Sequence, residues 1–232
     1  MNRTTSNIER KIVPDLSLYE HTSTTPRCPG RSKKRIIVIG LGNEYLCDDG
    51  LGIYAVRQLE ERIRQISGRE NDPEFLSSHA INFEELAIGG LQLLDYLVGY
   101  DHCIIIDAII TRLHPTGTIY RFRLEPDTDS VTLTTSHQID LSQVLTLGRM
   151  YINDIPRTVT VYGVEVNDIT SFQLSCTDAV KKALPQLVDV IYHNHFSDEE
   201  TFGATDGPGS RDDPGSGFSQ WEIIRSTFSE TF

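Results

Sequence analysis

RIIVIGLGNEYLCDDGLG, residues 35–52, carries an apolar run, a glycine-rich turn and the beginning of an amphipathic segment. The run RIIVIG at 35–40 is rich in β-branched residues and ends at a glycine, which predicts a buried strand. From Leu51 to Ile66, apolar residues then recur at steps of three and four, which is the period of a helix. The stretch therefore predicts a strand, a tight turn and a helix, the repeating unit of α/β domains.

The rest of the chain repeats this alternation of strands and helices. Further strands are predicted at 80–86, 103–107, 118–124 and 158–166, and helices at 91–99, 140–150 and 176–192. Pro185 would kink the last helix or delay its start. This order predicts a three-layer α/β sandwich, in which a twisted, mostly parallel sheet has helices on both faces. Ligands of such sheets bind beyond the carboxyl ends of the strands, so we expect the site there.

Composition divides the 232 residues into three regions. Residues 1–34 are predicted to be a disordered basic extension, and 35–194 to be the α/β domain. Residues 195–232 are rich in Gly, Ser, Asp and Pro and acidic overall. Such a stretch buries too little apolar surface to offset its ordering entropy, so we predict a disordered acidic tail.

Charge, hydropathy and cysteine use narrow the functional classes. The net charge is −12 without a basic stripe, so neither nucleic acid nor an anionic membrane is expected as a partner. No apolar stretch approaches the roughly 18 residues that a membrane span needs, and the N-terminus lacks the apolar segment of a secretory signal. The four cysteines lie far apart without a CxxC pair, which favours a reducing, cytoplasmic setting.

The glycine-rich turn has the form of an anion site but the charge of a cation site. Gly40 and Gly42 fit a dinucleotide-binding turn, whereas the third glycine of that motif is replaced by Tyr45. Asp48 and Asp49 would cap the following helix and interact favourably with its dipole. Their charge would repel the pyrophosphate that this helix end should receive. The pattern therefore disfavours a nucleotide and leaves two readings, simple capping or a metal.

Two further polar residues at element boundaries favour the metal. Asp107 finishes the apolar run CIIID, where a carboxylate is either solvated at the strand end or must be paired or coordinate a cation. His137 directly precedes a predicted helix. An aspartate of the turn with Asp107 and His137 makes an oxygen and nitrogen ligand set that suits zinc, nickel or ferrous iron. Its open position would serve hydrolysis or the recognition of a metal carried by a substrate.

A nucleophilic cysteine is the competing chemistry at the same turn. Cys47 lies at a helix N-terminus, which favours the thiolate, but directly precedes two aspartates, which disfavour it. We expect these effects to cancel, so Cys47 is a weak candidate. No GxSxG motif is present for a serine hydrolase.

Four segments together resemble the hydrogenase maturation protease family. They are RIIVIGLGNEYLCDDGLG, YDHCIIIDAI, SHQIDLSQVL and TVYGVEV, in the family's order and spacing and within residues 35–192. The family's enzymes trim the C-terminus of nickel–iron hydrogenase large subunits. A DGGT-like segment that many members carry reads EELAIGG here, which keeps Gly89 and Gly90 but lacks the threonine.

The resemblance implies both a site and a substrate. The family's metal-binding acid, aspartate and histidine fall on Asp49, Asp107 and His137, which would be the catalytic and metal-binding residues. Turn or supporting positions would be Gly42, Asn43, Asp48, Gly90 and Gln138, with Asp48 as the helix cap or a supporting group. The implied substrate is the large-subunit precursor with nickel already inserted. Docking of this nickel on the triad would hold the scissile peptide in place, which makes proximity a checkpoint.

Two other functions fit the same residues. A zinc-type metallohydrolase would hold zinc or a similar divalent ion permanently at the triad and cleave another peptide or amide. A non-catalytic nickel-binding chaperone would bind the precursor or its metal without shortening anything.

Overall fold

The computed structural model describes residues 33–67, 79–124, 141–152, 154–197 and 222–224. The strands are β1 Lys34–Leu41, β2 His79–Leu86, β3 His102–Ile109, β4 Ile119–Leu124, β5 Thr158–Glu165 and β6 Glu222–Ile224. The α-helices are α1 Leu51–Ile66, α2 Leu93–Leu97, α3 Leu141–Tyr151 and α4 Asp178–His195, and short 3-10 turns span Cys47–Gly50 and Gly90–Gln92. Each predicted element in these ranges is present, with ends shifted by a few residues.

One six-stranded sheet organises these elements, in the order β2-β1-β3-β5-β4-β6. The pairs β1–β2, β1–β3 and β3–β5 are parallel, whereas β4 is antiparallel to both β5 and β6. Strands β1 and β3 lie inside the sheet with helices over both faces, which explains why their apolar runs are unbroken. The predicted mostly parallel sheet is confirmed.

Each face of the sheet packs against its own pair of helices. Residues of α1 and α4 join Val38, Ile104 and Val164 in one core. Residues of α2 and α3 join Ile39 and Ile105 in the other core. Because successive side chains of a strand point to opposite faces, the same strands supply both cores, and the predicted three-layer sandwich is confirmed.

Glycines bring α1 very close to the sheet. A Cβ added to Gly52 would lie 2.2 Å from the carbonyl oxygen of Leu41 and 2.5 Å from that of Ile106. A Cβ added to Gly40 would lie 2.2 Å from the carbonyl oxygen of Gly52. The first turn of α1 therefore rests directly on the ends of β1 and β3, and the turn Cys47–Gly50 before it contacts β3. This contact sets the two predicted aspartate positions on one edge of the sheet.

Three details differ from expectation. Helix α4 begins at Asp178 and contains Pro185 in its interior, so the predicted late start at the proline is wrong. Strand β3 continues past Asp107 to Ile109. Within the predicted disordered tail, Glu222–Ile224 pair with β4, because β4 offers an edge whose backbone groups accept another strand. Residues 1–32, 198–221 and 225–232 lie outside the description, so the predicted domain limits stay predictions.

Within the described residues, no helix is both long and apolar enough to cross a membrane.

Candidate active site at the carboxyl edge of the sheet

Asp49 is held by the turn that joins β1 to α1. Its side chain is buried, and one carboxylate oxygen accepts a hydrogen bond of 2.9 Å from the backbone N–H of Asn43. Gly42 has φ +148°, and a Cβ added there would lie 1.9 Å from the carbonyl oxygen of Asp49. Only glycine fits this conformation and this gap without strain. The turn thus wraps around Asp49 and fixes its carboxylate at the carboxyl end of β1.

Asp107 lies within β3, opposite Gly163 of β5 in the parallel register. It is fully buried, so the alternative of a solvated strand end is wrong. By the alternation of the strand, it shares a face with Cys103 and Ile105, which pack toward α2 and α3. Because the Cys47–Gly50 turn contacts β3, the structure places Asp49 and Asp107 on adjoining elements of the same edge.

Asp48 points away from its own helix and ties two distant loops together. Its carboxylate accepts hydrogen bonds from the backbone N–H (2.6 Å) and hydroxyl (3.1 Å) of Thr177 and from the N–H of Asp168 (3.3 Å). No side-chain cap is formed at the Cys47–Gly50 turn or at α1, so the predicted capping of that helix is wrong. Since Thr177 is the N-cap residue of α4, Asp48 instead anchors the start of the last helix.

The structure leaves two predicted site residues untested. His137 and Gln138 lie outside the described ranges, so their distance from Asp49 and Asp107 stays open. Within those ranges, no three His, Cys, Asp or Glu side chains are grouped closely enough to hold a metal. Gly90 starts the Gly90–Gln92 turn with φ +64°, and nothing lies within 4 Å of a Cβ added there.

The thiol of Cys47 does not have the properties of a nucleophile. Burial, and after it the charges of Asp48 and Asp168, raise the pKa of Cys47 above its usual value. The expected cancellation is therefore wrong, because the turn buries the thiol as well as placing it beside carboxylates. Cys47 also has φ +46°, a backbone conformation that residues other than glycine rarely adopt. Its strained backbone belongs to the turn that presents Asp49.

Sequence reasoning missed a further buried carboxylate, Glu165 at the end of β5. It accepts hydrogen bonds from the N–H groups of Thr111 and Arg112 at 2.9 Å, from the Thr111 hydroxyl at 2.5 Å and from the Tyr120 hydroxyl at 3.1 Å. Burial, with a contribution from Glu165, raises the pKa of Tyr120 to about 12. A glutamate inside the otherwise apolar run TVTVYGVEV was the available signal.

Negative side chains therefore collect at one edge of the molecule. In the described part of the chain, the buried charged residues are Asp48, Asp49, Asp107 and Glu165, and all four lie at or beside the carboxyl ends of β1, β3 and β5. An anion such as a pyrophosphate would be repelled there, whereas a cation would be attracted. The geometry opposes the nucleotide-binding alternative and favours a ligand that brings positive charge.

Comparison with known sequences gives one family. The family described as "Hydrogenase maturation protease" (HycI) matches residues 82–194. The Hydrogenase 2 maturation protease of Escherichia coli (strain K12) is 30% identical over 131 residues, which is 56% of this chain and 72% of that protein. The hydrogenase expression/formation protein HupD of Thiocapsa roseopersicina is 24% identical over 162 residues, or 69% of this chain and 67% of that one.

Solved structures agree on the fold. The hydrogenase maturating endopeptidase HybD of E. coli superposes with a TM-score of 0.51 at 25% identity, over 69% of this chain and 91% of that chain. The [NiFe] hydrogenase maturation protease HybD of Thermococcus kodakarensis gives a TM-score of 0.52 at 21% identity, over 69% and 99% of the two chains. In both cases the similarity covers about two thirds of this chain.

Proposed function

Because this chain belongs to the hydrogenase maturation protease family, we propose that it removes a C-terminal extension from the nickel-loaded precursor of a nickel–iron hydrogenase large subunit. Family membership makes it a peptidase that acts in hydrogenase maturation. The finer proposal concerns its substrate and the use of the substrate's nickel for recognition. The observation that carries it is the pair of buried carboxylates, Asp49 and Asp107, on adjoining elements of an acidic edge.

In this proposal the nickel arrives with the substrate. Asp49, Asp107 and His137 bind it as oxygen and nitrogen ligands, a donor set that suits nickel and also zinc. A carboxylate that is removed from water must be paired or coordinate a cation. A precursor that carries nickel supplies this cation and one that lacks nickel does not, so binding selects the metal-loaded form.

Cleavage then depends on where the scissile peptide is held. Docking of the nickel holds the scissile peptide beside the carboxylates, which converts an encounter in solution into a reaction within one complex. Water adds to the scissile carbonyl, and the amine of the released extension leaves with a proton. In this proposal, the carboxylate of Asp49 or Asp107 accepts the proton of the attacking water and passes it to the leaving amine, in the manner of an aspartyl-type endopeptidase.

The proposal places this reaction in the cytoplasm. Cys47, Cys103 and Cys176 are free and buried, and free thiols remain reduced in that compartment.

Intact-mass spectrometry of the co-expressed large-subunit precursor tests the proposal. With wild-type protein, the precursor should lose a C-terminal peptide when nickel is supplied and stay full-length without nickel. With Asp49→Asn, the precursor should stay full-length with and without nickel, because the change removes the charge of a ligand while keeping the size of the side chain. The matched control is Asp178→Asn, the same change at a side chain that is 94% exposed, and its processing should equal that of wild type.

Two results contradict this proposal and favour its alternatives. Shortening of the precursor without nickel would mean that the site carries its own metal, as in the zinc-type metallohydrolase. Stable binding of a precursor that is never shortened would identify a nickel-binding chaperone.

A further inference from the structure

Three exposed apolar side chains form a patch beside the acidic edge. Tyr45, Phe172 and Leu174 are 51%, 80% and 64% exposed. The rings of Tyr45 and Phe172 stack with their centroids 6.0 Å apart and their planes inclined by 14°. We call these three residues the docking patch. Exposed apolar side chains that are clustered and rimmed by polar residues commonly mark interaction sites.

The backbone beneath the docking patch is firmly held. Leu46 pairs with Gln173 in a β-bridge, and Gln173 accepts a hydrogen bond from the N–H of Cys47 and donates one to the carbonyl of Tyr45, both at 3.0 Å. The Tyr54 hydroxyl donates to the carbonyl of Leu174 at 2.9 Å. The aromatic pair is therefore displayed on an ordered support, which lowers the entropy lost when a partner binds.

A buried carboxylate fixes both ends of the loop that carries Phe172 and Leu174. Asp48 accepts hydrogen bonds from the backbone N–H groups of Asp168 and Thr177, which lie before and after these two residues. The bridge to Leu46 holds the middle of the same loop. These contacts hold Phe172 and Leu174 at the protein surface. Because these side chains are exposed, packing of the protein's own core does not explain why they are apolar.

The docking patch is continuous with the turn that presents Asp49. The Tyr45 N–H donates to the side-chain oxygen of Asn43 at 3.1 Å, and the Asn43 N–H donates to the Asp49 carboxylate at 2.9 Å. The Asp49 N–H donates to the carbonyl of Leu46 at 2.9 Å. Tyr45 and Asp49 therefore belong to one hydrogen-bonded turn, and Phe172 stacks on Tyr45.

We infer that the docking patch binds an apolar segment of the precursor polypeptide next to its scissile bond. This inference rests on the proposed function and adds a surface that recognises the chain itself, separate from the metal. The chemistry fits because the patch offers two stacked aromatic faces and a leucine without a charged group among them. Glu44 beside it forms an ion pair with Arg57 at 2.8 Å, and Arg57 also pairs with Glu85, so the Glu44 carboxylate is engaged within the protein. Apolar side chains of the precursor cover the rings, and the carboxylates hold the metal.

Truncation of the aromatic pair tests the inference. Purified nickel-loaded precursor is processed by wild type, Phe172→Ala and Tyr45→Ala, and its affinity for each protein is measured in parallel. Loss of a central aromatic contact should raise KM and weaken affinity about tenfold for Phe172→Ala, with kcat changed less than about twofold. Phe172→Tyr should restore both values. The control is Tyr151→Ala on α3, because Tyr151 is 79% exposed and should leave KM unchanged.

Several outcomes would overturn the docking patch. Equal KM and equal affinity for wild type and Phe172→Ala would do so, as would an equal loss in Tyr151→Ala. A wild-type dimer that Phe172→Ala converts to monomers, with processing unchanged, would assign the patch to a second copy of this chain. If wild type binds the precursor but never cleaves it, the proposed function fails, and the affinities alone decide whether the patch recognises the polypeptide.

Discussion

The two ends of the same sheet satisfy their buried and partly buried polar groups in different ways. At the carboxyl end, Asp48 and Glu165 each collect several backbone N–H donors from loops. At the amino end, His102 and His195 instead form single contacts to hydroxyl groups of β5. His102 Nε2 lies 3.3 Å from the Thr160 hydroxyl and His195 Nε2 lies 3.0 Å from the Tyr162 hydroxyl.

Burial dominates the electrostatics of the amino end. It lowers the pKa of His102 to about 4 and that of His195 to about 3. The charge of Arg123 lowers the pKa of both imidazoles, and His102 and Arg121 also lower that of His195. The two rings lie 5.3 Å apart between centroids, so a proton on one would oppose a proton on the other. Both imidazoles are therefore held in their neutral form.

Non-glycine residues with positive φ lie, in the described part of the chain, at the other end. Cys47 and Arg112 have φ of +46° and +61°, and both lie in loops that follow β1 and β3. The histidine contacts at the amino end arise from regular strand and helix. Strained backbone persists where the surrounding structure enforces it and is concentrated at functional sites. The difference teaches that the carboxyl end carries the strained turns expected of a functional site, whereas the amino end is closed by regular strand and helix.

The largest effect is expected from closing the gap between α1 and the sheet. Gly52→Ala would bring a methyl group within 2.2 Å of the Leu41 carbonyl oxygen and 2.5 Å of the Ile106 carbonyl oxygen. Because both neighbours are strand backbone, neither can move without breaking the sheet, and we expect a loss of about 3 kcal/mol or more. Urea unfolding followed by circular dichroism measures the free energy of unfolding.

The control for this variant is Gly90→Ala. Its φ of +64° imposes strain, but nothing lies within 4 Å of the added Cβ, so the cost should be about 1 kcal/mol. Equal costs for the two alanines would show that backbone conformation, and not the close approach of α1, controls this edge.

A smaller loss is expected when the tie between the two loops is removed. Asp48→Ala leaves the N–H groups of Thr177 and Asp168 without their acceptor, which should cost about 2–3 kcal/mol of unfolding free energy. Thr177→Ser keeps both an N–H and a hydroxyl for Asp48 and should cost less than about 1 kcal/mol. Urea unfolding of both variants provides the measurement. A stable Asp48→Ala protein would contradict the anchoring role of this carboxylate.

The effect that is smallest at neutral pH, and grows as the pH falls, is a pH dependence that belongs to the amino end. Since the folded pKa values of about 4 and 3 lie below the usual 6.5, the unfolded chain binds more protons as pH falls below 6.5. Stability is therefore present above pH 6.5 and is lost as pH falls toward 4. Each histidine contributes up to about 1.4 kcal/mol per pH unit once the unfolded form is protonated.

The variant His102→Gln/His195→Gln isolates this contribution. Its unfolding free energy should fall less steeply than that of wild type between pH 6.5 and 5, above the range where most carboxyl groups titrate. Arg121 and Arg123, whose charges act on these rings, are the same in both proteins. Identical slopes for the two proteins would mean that the imidazoles do not resist protonation.

Much of the fold was readable because it follows from local patterns. Helix α1 spans the predicted Leu51–Ile66, since its apolar period extends over the whole helix. Strands β1 and β3 were readable as buried because their apolar runs are unbroken. Pro185 misled the prediction of α4, because packing of an amphipathic helix on the sheet outweighs the missing hydrogen bond of one proline.

Part of the candidate site was likewise predictable from local patterns, and part was not. Asp107 could be selected from the sequence because it ends an apolar run where a carboxylate is out of place, whereas the family resemblance was needed to choose Asp49 over Asp48. Glu165 gave the same signal inside β5, but the sequence did not predict that the N–H groups of Thr111 and Arg112 donate hydrogen bonds to it. The role of Asp48 was misjudged, because local helix capping is the expected use of an aspartate before a helix.

By itself, the sequence determined the α/β class, the buried central strands and the presence of carboxylates at their carboxyl ends. These follow from burial and periodicity within a few neighbouring residues. Only the tertiary structure decided that Asp48 binds Thr177, 129 positions later, and that Phe172 stacks on Tyr45. Such contacts depend on which distant loops the sheet order brings together, and no local pattern of side chains encodes that choice.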